Sequence, residues 1–226
     1  MLQNLSIILA EKRNFMFSFM ENYLFNRIGV NRNEILEDYN QFIKVIRFCL
    51  LTTQRPRHDI VNLGLEYFNG TYVEFRNAII NSDWDNLIRV TYSSPGVKQK
   101  VGSLILEVFI HYAGLNLRLE NKLFVPIDSH VKRIFSDCLG AYDVSERGLP
   151  TYPGQNTYSI FQQKLMNNTY NNLPRIYFDY LWFVGKVFCT SKINENDINI
   201  YKRSYRLCSI CWLKDICINP DRWNYL

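Results

Sequence analysis

The sequence has few residues that interrupt regular structure and lacks long apolar runs. Its 226 residues include only 10 Gly and 7 Pro, which excludes collagen-like and low-complexity chains. No apolar run approaches the ~20 residues that a membrane-spanning helix needs. The first apolar stretch, residues 5–10, is shorter than a signal-peptide core, and Lys12 and Arg13 follow it rather than precede it. We therefore expect a soluble, intracellular protein with no membrane partner.

The composition that remains is that of a globular protein. Hydrophobic residues make up 47% of the chain and aromatic residues 15%, so the chain can bury a large core and is not disordered. Its length suits one large domain or two small ones. The formal net charge of +5 permits a polyanionic partner but does not identify one.

The hydrophobic pattern is helical along nearly the whole chain. Apolar residues recur at spacings of three and four, which predicts helices over residues 15–28, 39–51, 59–68, 72–80, 83–90, 99–112, 131–139, 158–166 and 175–188. Residues 122–127 form the only short extended candidate, and Gly and Pro predict a long loop over 140–156. We predict an all-α fold.

Four of the 6 cysteines crowd the C-terminal region, namely Cys189, Cys208, Cys211 and Cys217. The last three have the spacing Cys-x2-Cys-x5-Cys, and eighteen residues separate them from Cys189. Thiolates at such spacing suit a tetrahedral zinc ion or an iron–sulfur cluster, and spacing alone favours zinc. A disulfide pair is the third possibility, but it fits an intracellular chain less well.

A tight turn is predicted between two helical segments, at residues 93–98. Pro95 and Gly96 favour a turn in which glycine takes a positive φ and exposes successive backbone N–H groups. Those groups, with the N-terminus of the following helix, form a natural seat for a phosphate. Lys100 then lies in the first turn of that helix, although a single lysine there is more often a solvated surface residue.

A second helix start is predicted at residues 126–131. Asp128 precedes this helix, so its simplest role is that of an N-cap. His130, Lys132 and Arg133 follow it, and each basic residue alone is more often a solvated surface charge.

Together these features resemble the endonuclease III family, the iron–sulfur branch of the helix-hairpin-helix DNA glycosylase superfamily. The resemblance covers the chain from about residue 39 to residue 217. The matching stretches run in the family's order, at residues 50–54, 95–100, 126–131 and 181–189, and they end with Cys208, Cys211 and Cys217.

The resemblance implies two helical lobes with the active site in the cleft between them. One lobe would span residues 38–122 and contain the helix-hairpin-helix; the other would combine residues 1–37 with 123–226 and the cluster loop. The family's catalytic lysine and aspartate match Lys100 and Asp128. The four C-terminal cysteines match the ligands of a [4Fe–4S] cluster, with zinc as the alternative cofactor.

The resemblance also implies a monomer that binds double-stranded DNA containing a damaged base or an abasic site. The side chain that fills the gap left by a flipped nucleotide matches Gln54. The other residues that we expect to contact DNA are Arg55, Arg57, Pro95, Gly96, Val97, Lys98, His130 and Lys132.

The implied activity is that of a bifunctional DNA glycosylase/AP lyase of base excision repair. Lys100 would attack C1′ of the sugar, release a damaged base, with an oxidised base as the expected lesion, and nick the strand by β-elimination. The alternatives are a mismatch or purine-lesion glycosylase, such as one for 8-oxoguanine, a non-catalytic DNA-binding module, or a zinc-stabilised helical interaction protein.

The chain departs from the family pattern at three places. Lys98 stands where the hairpin usually has a second glycine. An insertion around residues 114–124 lengthens the gap between Lys100 and Asp128. Eighteen residues, rather than the usual six, separate the first two cluster cysteines.

Overall fold

The structure is a computed structural model that describes residues 2–52, 57–140, 159–167, 173–188 and 210–218. Within these ranges every regular element is helical and no strand occurs, which confirms the all-α prediction. No helix in this part of the chain is long and apolar enough to cross a membrane.

The described α-helices follow one another with short connections. They are α1 (Leu2–Glu11), α2 (Arg13–Met20), α3 (Tyr39–Leu51), α4 (His58–Ile80), α5 (Trp84–Tyr92), α6 (Gln99–Glu107), α7 (Ser129–Arg133), α8 (Ser159–Asn167) and α9 (Tyr180–Val187). Three of them continue into π-helical turns, at Glu21–Asn26, Val108–Tyr112 and Ile134–Cys138. Tighter 3₁₀ turns occur at Arg32–Glu34, Leu117–Lys122 and Arg175–Asp179.

Helices α3 to α6 pack against one another around an aromatic centre. The rings of Phe42, Phe75 and Phe109 lie 5.1 to 5.4 Å apart in pairs, and all three are fully buried. Side-chain caps begin two of these helices, since Asp38 accepts from the Asn40 amide and Asp83 from the Asn86 amide. Such caps satisfy amides that a helix start would otherwise leave without partners.

A second set of contacts joins elements that are far apart in the chain. Helix α1 packs on the turn Arg175–Asp179, and α7 packs on α9. The α7–α9 contact is close: a Cβ on Gly185 would lie 2.8 Å from the Cβ of His130, so only glycine fits. Arg133 donates from Nη2 to the Gly185 carbonyl at 2.7 Å. The division into two lobes, at 38–122 and at 1–37 with 123–226, stays a prediction.

Helix α4 is continuous, whereas the sequence pattern predicted two helices, over 59–68 and 72–80. Gly70 lies within the helix on its exposed side, with no atom within 4 Å of where a Cβ would be. A glycine at such a position costs only about 1 kcal/mol relative to alanine. Burial of Phe68 and Phe75 on either side offsets that cost.

Candidate active site

The connection between α5 and α6 is a tight turn whose geometry requires Gly96. The Val97 amide donates to the Ser94 carbonyl at 3.1 Å, and Gly96 has a φ of +77°. With Pro95 at the second position, this is a type II turn. A Cβ on Gly96 would also lie 2.3 Å from Cγ2 of Ile60, so the turn lies against the start of α4.

Helix α6 begins directly after this turn without a capping side chain. Its N-cap residue is Lys98, which is exposed and makes no side-chain cap hydrogen bond. Amides of the first helical turn that lack a cap are donors available to an anion, and the helix dipole adds to the attraction. Lys100 lies in this first turn.

The structure brings Lys100 and Asp128 together across twenty-seven intervening residues. Nζ of Lys100 lies 4.0 Å from Oδ2 of Asp128, and the two side chains are 33% and 8% exposed. The other oxygen of Asp128, Oδ1, accepts from the amides of His130 and Val131 at 2.8 and 2.9 Å. Asp128 is therefore the N-cap of α7 and at the same time faces the amine.

Gln99 joins the chain segment that carries Lys100 to the segment that carries Asp128. Its side chain is buried, donating from Nε2 to the Val125 carbonyl at 2.7 Å and accepting at Oε1 from the Ile127 amide at 3.2 Å. One amide side chain thus replaces the hydrogen bonds that a neighbouring strand would supply to residues 125–127. Because Gln99 precedes Lys100 and Ile127 precedes Asp128, this clamp sets the distance between amine and carboxylate.

Two more buried side chains hold the same extended segment from its other side. Gln162 of α8 accepts from the Val125 amide at 3.0 Å and donates to its carbonyl at 2.8 Å. Arg175 donates to the carbonyls of Leu123 and Lys122 at 2.5 and 2.9 Å. The segment that the sequence marked as a strand candidate is therefore extended, but its backbone groups form hydrogen bonds with side chains rather than with a neighbouring strand.

Lys100 and Asp128 line one cleft of about 560 Å³. Its lining includes four aromatic side chains, those of Tyr23, Phe48, Tyr112 and Trp182. At its edge Nζ of Lys186 lies 4.7 Å from the Trp182 ring centroid. The cleft therefore combines flat apolar surfaces with a small number of charged groups, as ligand sites commonly do.

Two further carboxyls lie behind the Lys100–Asp128 pair. Asp179 lines the cleft and is 8% exposed, while Glu107 at the end of α6 is fully buried. Burial, and next the Asp128 carboxylate, raise the pKa of Asp179 to about 7, against the opposite effects of the Glu107 hydrogen bond and of Lys100. Burial and then Asp179 raise the pKa of Glu107 well above its ordinary value.

The remaining residues expected to contact DNA are distributed unevenly. Pro95, Gly96 and Lys98 are exposed on the turn, but Val97 is buried and uses its amide within the turn. Arg57 is exposed and pairs with Asp59 at 2.7 Å.

Two of these candidates follow Asp128. His130 lines the cleft, with Nδ1 at 3.4 Å from Nη2 of Arg133. Lys132 is partly buried on α7. Gln54 and Arg55 lie outside the described residues.

The C-terminal segment 210–218 is packed onto the helices. The Trp212 ring stacks on Phe183 at 5.1 Å, and the Ile218 amide donates to the Cys138 carbonyl at 2.8 Å. Cys211 and Cys217 are both half-buried, and the Leu213 amide lies 3.5 Å from Sγ of Cys211.

Two of the four expected cluster ligands, Cys189 and Cys208, lie outside the described residues. Within the described part, no group of three or more His, Cys, Asp or Glu side chains is arranged so that it could hold a metal ion. The two described cysteines are soft thiol donors of the kind that zinc and iron–sulfur clusters take.

Comparison of the chain with protein-family models, with curated proteins and with solved structures finds no match.

Sequence reasoning did not identify Gln99, Glu107 or Asp179. A weak signal existed for Glu107, which is an acid in an otherwise apolar helix and lies seven residues after Lys100, on the same helix face. Asp179 similarly interrupts an aromatic run. In the sequence, Gln99 has no feature that distinguishes it from an ordinary polar residue in the first turn of a helix.

Proposed function

We propose that this protein is a bifunctional DNA glycosylase/AP lyase. The observation that carries the proposal is the Lys100–Asp128 pair, an amine 4.0 Å from a carboxylate on the wall of a concave site. An amine positioned beside a base is the arrangement that Schiff-base enzymes use to activate a lysine nucleophile. The neighbouring turn supplies the means to hold a phosphate backbone.

The turn between α5 and α6 would grip the DNA strand next to the reacting sugar. Helix α6 begins directly after this turn without a capping side chain, and the exposed Lys98 adds a positive charge there. Amides at a helix N-terminus bind phosphate without a dedicated basic side chain. Lys100 lies within one helical turn of this seat, so a gripped phosphate would bring its sugar near the amine.

The cleft would receive the extruded nucleotide. A base inside a duplex is out of reach of an active site, so the enzyme must rotate it out of the stack. Tyr23, Phe48 and Trp182 present aromatic surfaces on which a base can stack. The volume of about 560 Å³ lies within the range typical of small-molecule sites.

In the proposed reaction, Lys100 attacks C1′ as the base departs. The attacking amine loses a proton to Asp128, whose Oδ2 faces it and whose charge also stabilises the developing oxocarbenium character. Ring opening gives a Schiff base between the lysine and C1′. Its electron sink permits loss of a C2′ proton and β-elimination of the 3′ phosphate, after which water releases the enzyme.

An oxidised base is the proposed lesion, and a mismatch or purine-lesion activity is the alternative within the same chemistry. A panel of duplexes that carry different lesions separates the two. The lesion that wild-type protein releases fastest under single-turnover conditions identifies the substrate.

A [4Fe–4S] cluster is the proposed cofactor, with zinc as the alternative. Its ligands would be Cys211 and Cys217, which the structure places in a packed segment, together with Cys189 and Cys208. The cluster would stabilise the C-terminal segment by tying it into one unit. None of the steps above depends on it.

Borohydride trapping on an abasic duplex tests the proposed function. Borohydride reduces a Schiff base to a stable amine, so wild-type protein is expected to form a covalent adduct that migrates as protein plus DNA. Lys100→Gln is expected to abolish the adduct. The control Lys122→Gln, which changes an exposed lysine outside the cleft, should leave it intact.

Two other outcomes of the trapping experiment would change the proposal. If the adduct persists in Lys100→Gln and disappears in Lys98→Gln, the nucleophile is Lys98. Tight duplex binding by wild-type protein without any adduct or product indicates a non-catalytic DNA-binding module instead.

A further inference from the structure

Two further carboxyls near the proposed reaction site, those of Asp179 and Glu107, form an acid pair that has no role in the chemistry of Lys100 and Asp128. Asp179 is the last residue of the turn Arg175–Asp179, and its carboxyl reaches the cleft wall beside the two reacting groups. Glu107 lies two helical turns after Lys100 on the same face of α6, so it lies directly below the lysine. The turn Arg175–Asp179 and helix α6 therefore place two carboxyl groups close together in the protein interior.

These groups cannot all be ionised at once. With Asp128, Asp179 and Glu107 charged and Lys100 protonated, a group of three buried carboxyls and one partly buried amine would hold three negative charges and one positive charge. Burying a carboxylate without a compensating partner is strongly unfavourable, and two adjacent carboxyls share a proton instead. The acid pair therefore retains a proton near neutral pH.

The surroundings of Glu107 support this conclusion. Within the described part of the chain, neither Glu107 carboxyl oxygen has a partner at full hydrogen-bond geometry, although Asp179 and the Tyr112 hydroxyl lie close enough to affect its pKa. A neutral acid tolerates such a position far better than a carboxylate does. The groups that face the pair from the packed elements are Lys100, Asp128, Tyr112 and Tyr180.

We propose that Asp179 is the general acid that protonates the departing base, and that Glu107 then supplies Asp179 with a proton. The proposal rests on the proposed glycosylase function and assigns a new role within the same cleft. As Lys100 forms its bond to C1′, the bond from C1′ to the base nitrogen breaks and its electron pair leaves with the base. Asp179 gives its proton to that base, Asp128 takes a proton from the amine, and Glu107 then returns a proton to Asp179.

The division of roles follows from the two environments. Asp128 accepts two amide hydrogen bonds at one oxygen and faces the Lys100 amine with the other, so it is placed to receive the proton of that amine. Burial and then the neighbouring Asp128 carboxylate raise the pKa of Asp179 and so favour its neutral form, against the opposite effects of the Glu107 hydrogen bond and of Lys100. Two carboxyls in one site that have different surroundings commonly divide the roles of base and acid.

The proposal predicts that Asp179 matters for base release but not for strand nicking at a site that has already lost its base. The test compares Asp179→Asn with wild-type protein in single-turnover assays on two duplexes, one with the lesion and one with a preformed abasic site. Base release is expected to fall about 100-fold, as is typical for loss of a general acid. Nicking and borohydride trapping at the abasic site should stay near wild-type levels.

Asp83→Asn is the matched control, because it makes the same change at an exposed helix cap outside the cleft. It should leave both reactions unchanged. A parallel fall of base release and nicking in Asp179→Asn would show a structural role and overturn the proposal, as would unchanged base release.

A wild-type pH series keeps the proposal testable if Asp179→Asn does not fold. Above about pH 7, where Asp179 loses its proton, the ratio of base release to nicking is expected to fall by up to about tenfold for each pH unit. A constant ratio would overturn the proposal. Unchanged base release by Asp179→Asn, when wild-type protein both releases base and nicks, contradicts the acid role alone. Wild-type protein that releases no base, or that forms no trapped adduct, contradicts the proposed function itself.

Discussion

The Asp128 carboxylate is divided between two tasks: Oδ1 accepts the amides of His130 and Val131, and Oδ2 lies 4.0 Å from Nζ of Lys100. Capping thus fixes the carboxylate in the orientation in which it faces the amine. The same hydrogen bonds that start α7 also hold the base of the proposed reaction in place.

Substitutions at Asp128 are expected to separate its two tasks. Asparagine is as good an N-cap as aspartate, so Asp128→Asn should change the free energy of unfolding by less than about 0.5 kcal/mol, whereas Asp128→Ala should lose about 1 kcal/mol. Both variants should slow base release by about 100-fold or more, because neither can accept the proton of Lys100. Urea denaturation and single-turnover assays measure the two effects, and equal destabilisation by Asn and Ala would show that more than the cap is involved.

Loss of the Gln99 clamp is expected to affect both stability and catalysis. Gln99→Leu leaves the Val125 carbonyl and the Ile127 amide buried without this partner, which should cost about 1–3 kcal/mol. The segment that carries Asp128 should then shift, and the yield of borohydride adduct should fall. Gln163→Leu, at an exposed position of α8, is the control and should change stability by less than about 0.5 kcal/mol. Equal effects of the two substitutions would contradict the clamp.

Two glycines in different settings allow a matched test of the turn. Gly96→Ala forces a side chain onto a residue with a φ of +77° and toward Ile60, so it should destabilise the protein by at least about 1 kcal/mol and weaken duplex binding. Gly70→Ala, in the open middle of α4, should instead stabilise it by about 0.5–1 kcal/mol. Thermal unfolding and binding titrations measure both effects. A Gly96→Ala variant that binds DNA as well as wild type would argue against the turn as a phosphate seat.

The raised pKa of Asp179 makes stability depend on pH with a definite sign. Between the ordinary value of 3.8 and about 7, the folded state keeps the Asp179 proton while the unfolded state releases it, so rising pH favours unfolding. Asparagine at this position does not titrate. The free energy of unfolding of Asp179→Asn should therefore rise relative to wild type by roughly 2–3 kcal/mol from pH 5 to pH 8. A difference that stays constant over this range, measured by urea denaturation, would show that Asp179 is already ionised at pH 5.

Substitution of a proposed cluster ligand should remove the metal. Cys211→Ser is expected to lower the iron and sulfide content of the purified protein strongly and to destabilise the C-terminal segment. Cys49→Ala, at a fully buried position of α3, should leave the metal content per protein unchanged. Metal analysis distinguishes iron from zinc in the same samples, and wild-type protein without either metal would refute the cluster.

The sequence predicted local features well because local chemistry determines them. The bounds 39–51 of α3 follow from an apolar stripe and the Asp38 cap, and the turn at 95–96 follows from the backbone preferences of proline and glycine. The break predicted between 68 and 72 was wrong because burial of Phe68 and Phe75 outweighs the low helix propensity of one glycine.

The tertiary part of the site was much harder to predict from the residues alone. The segments that carry Lys100 and Asp128 are joined by the Gln99 clamp, and nothing local marks Gln99 as the buried partner of the Val125 carbonyl and the Ile127 amide. The acid pair of Glu107 and Asp179 likewise arises only when α6 packs near the turn Arg175–Asp179. The positions of Gln54, Arg55, Cys189 and Cys208 stay predictions, because they lie outside the described residues.

Identification of the residue that is covalently bound to DNA tests the central claim most directly. After borohydride reduction on an abasic duplex, the adduct can be digested with protease and nuclease, and mass spectrometry can locate the residue that carries the sugar remnant. The account predicts the remnant on the amine of Lys100. A remnant on any other residue, or the absence of an adduct at all, would contradict it.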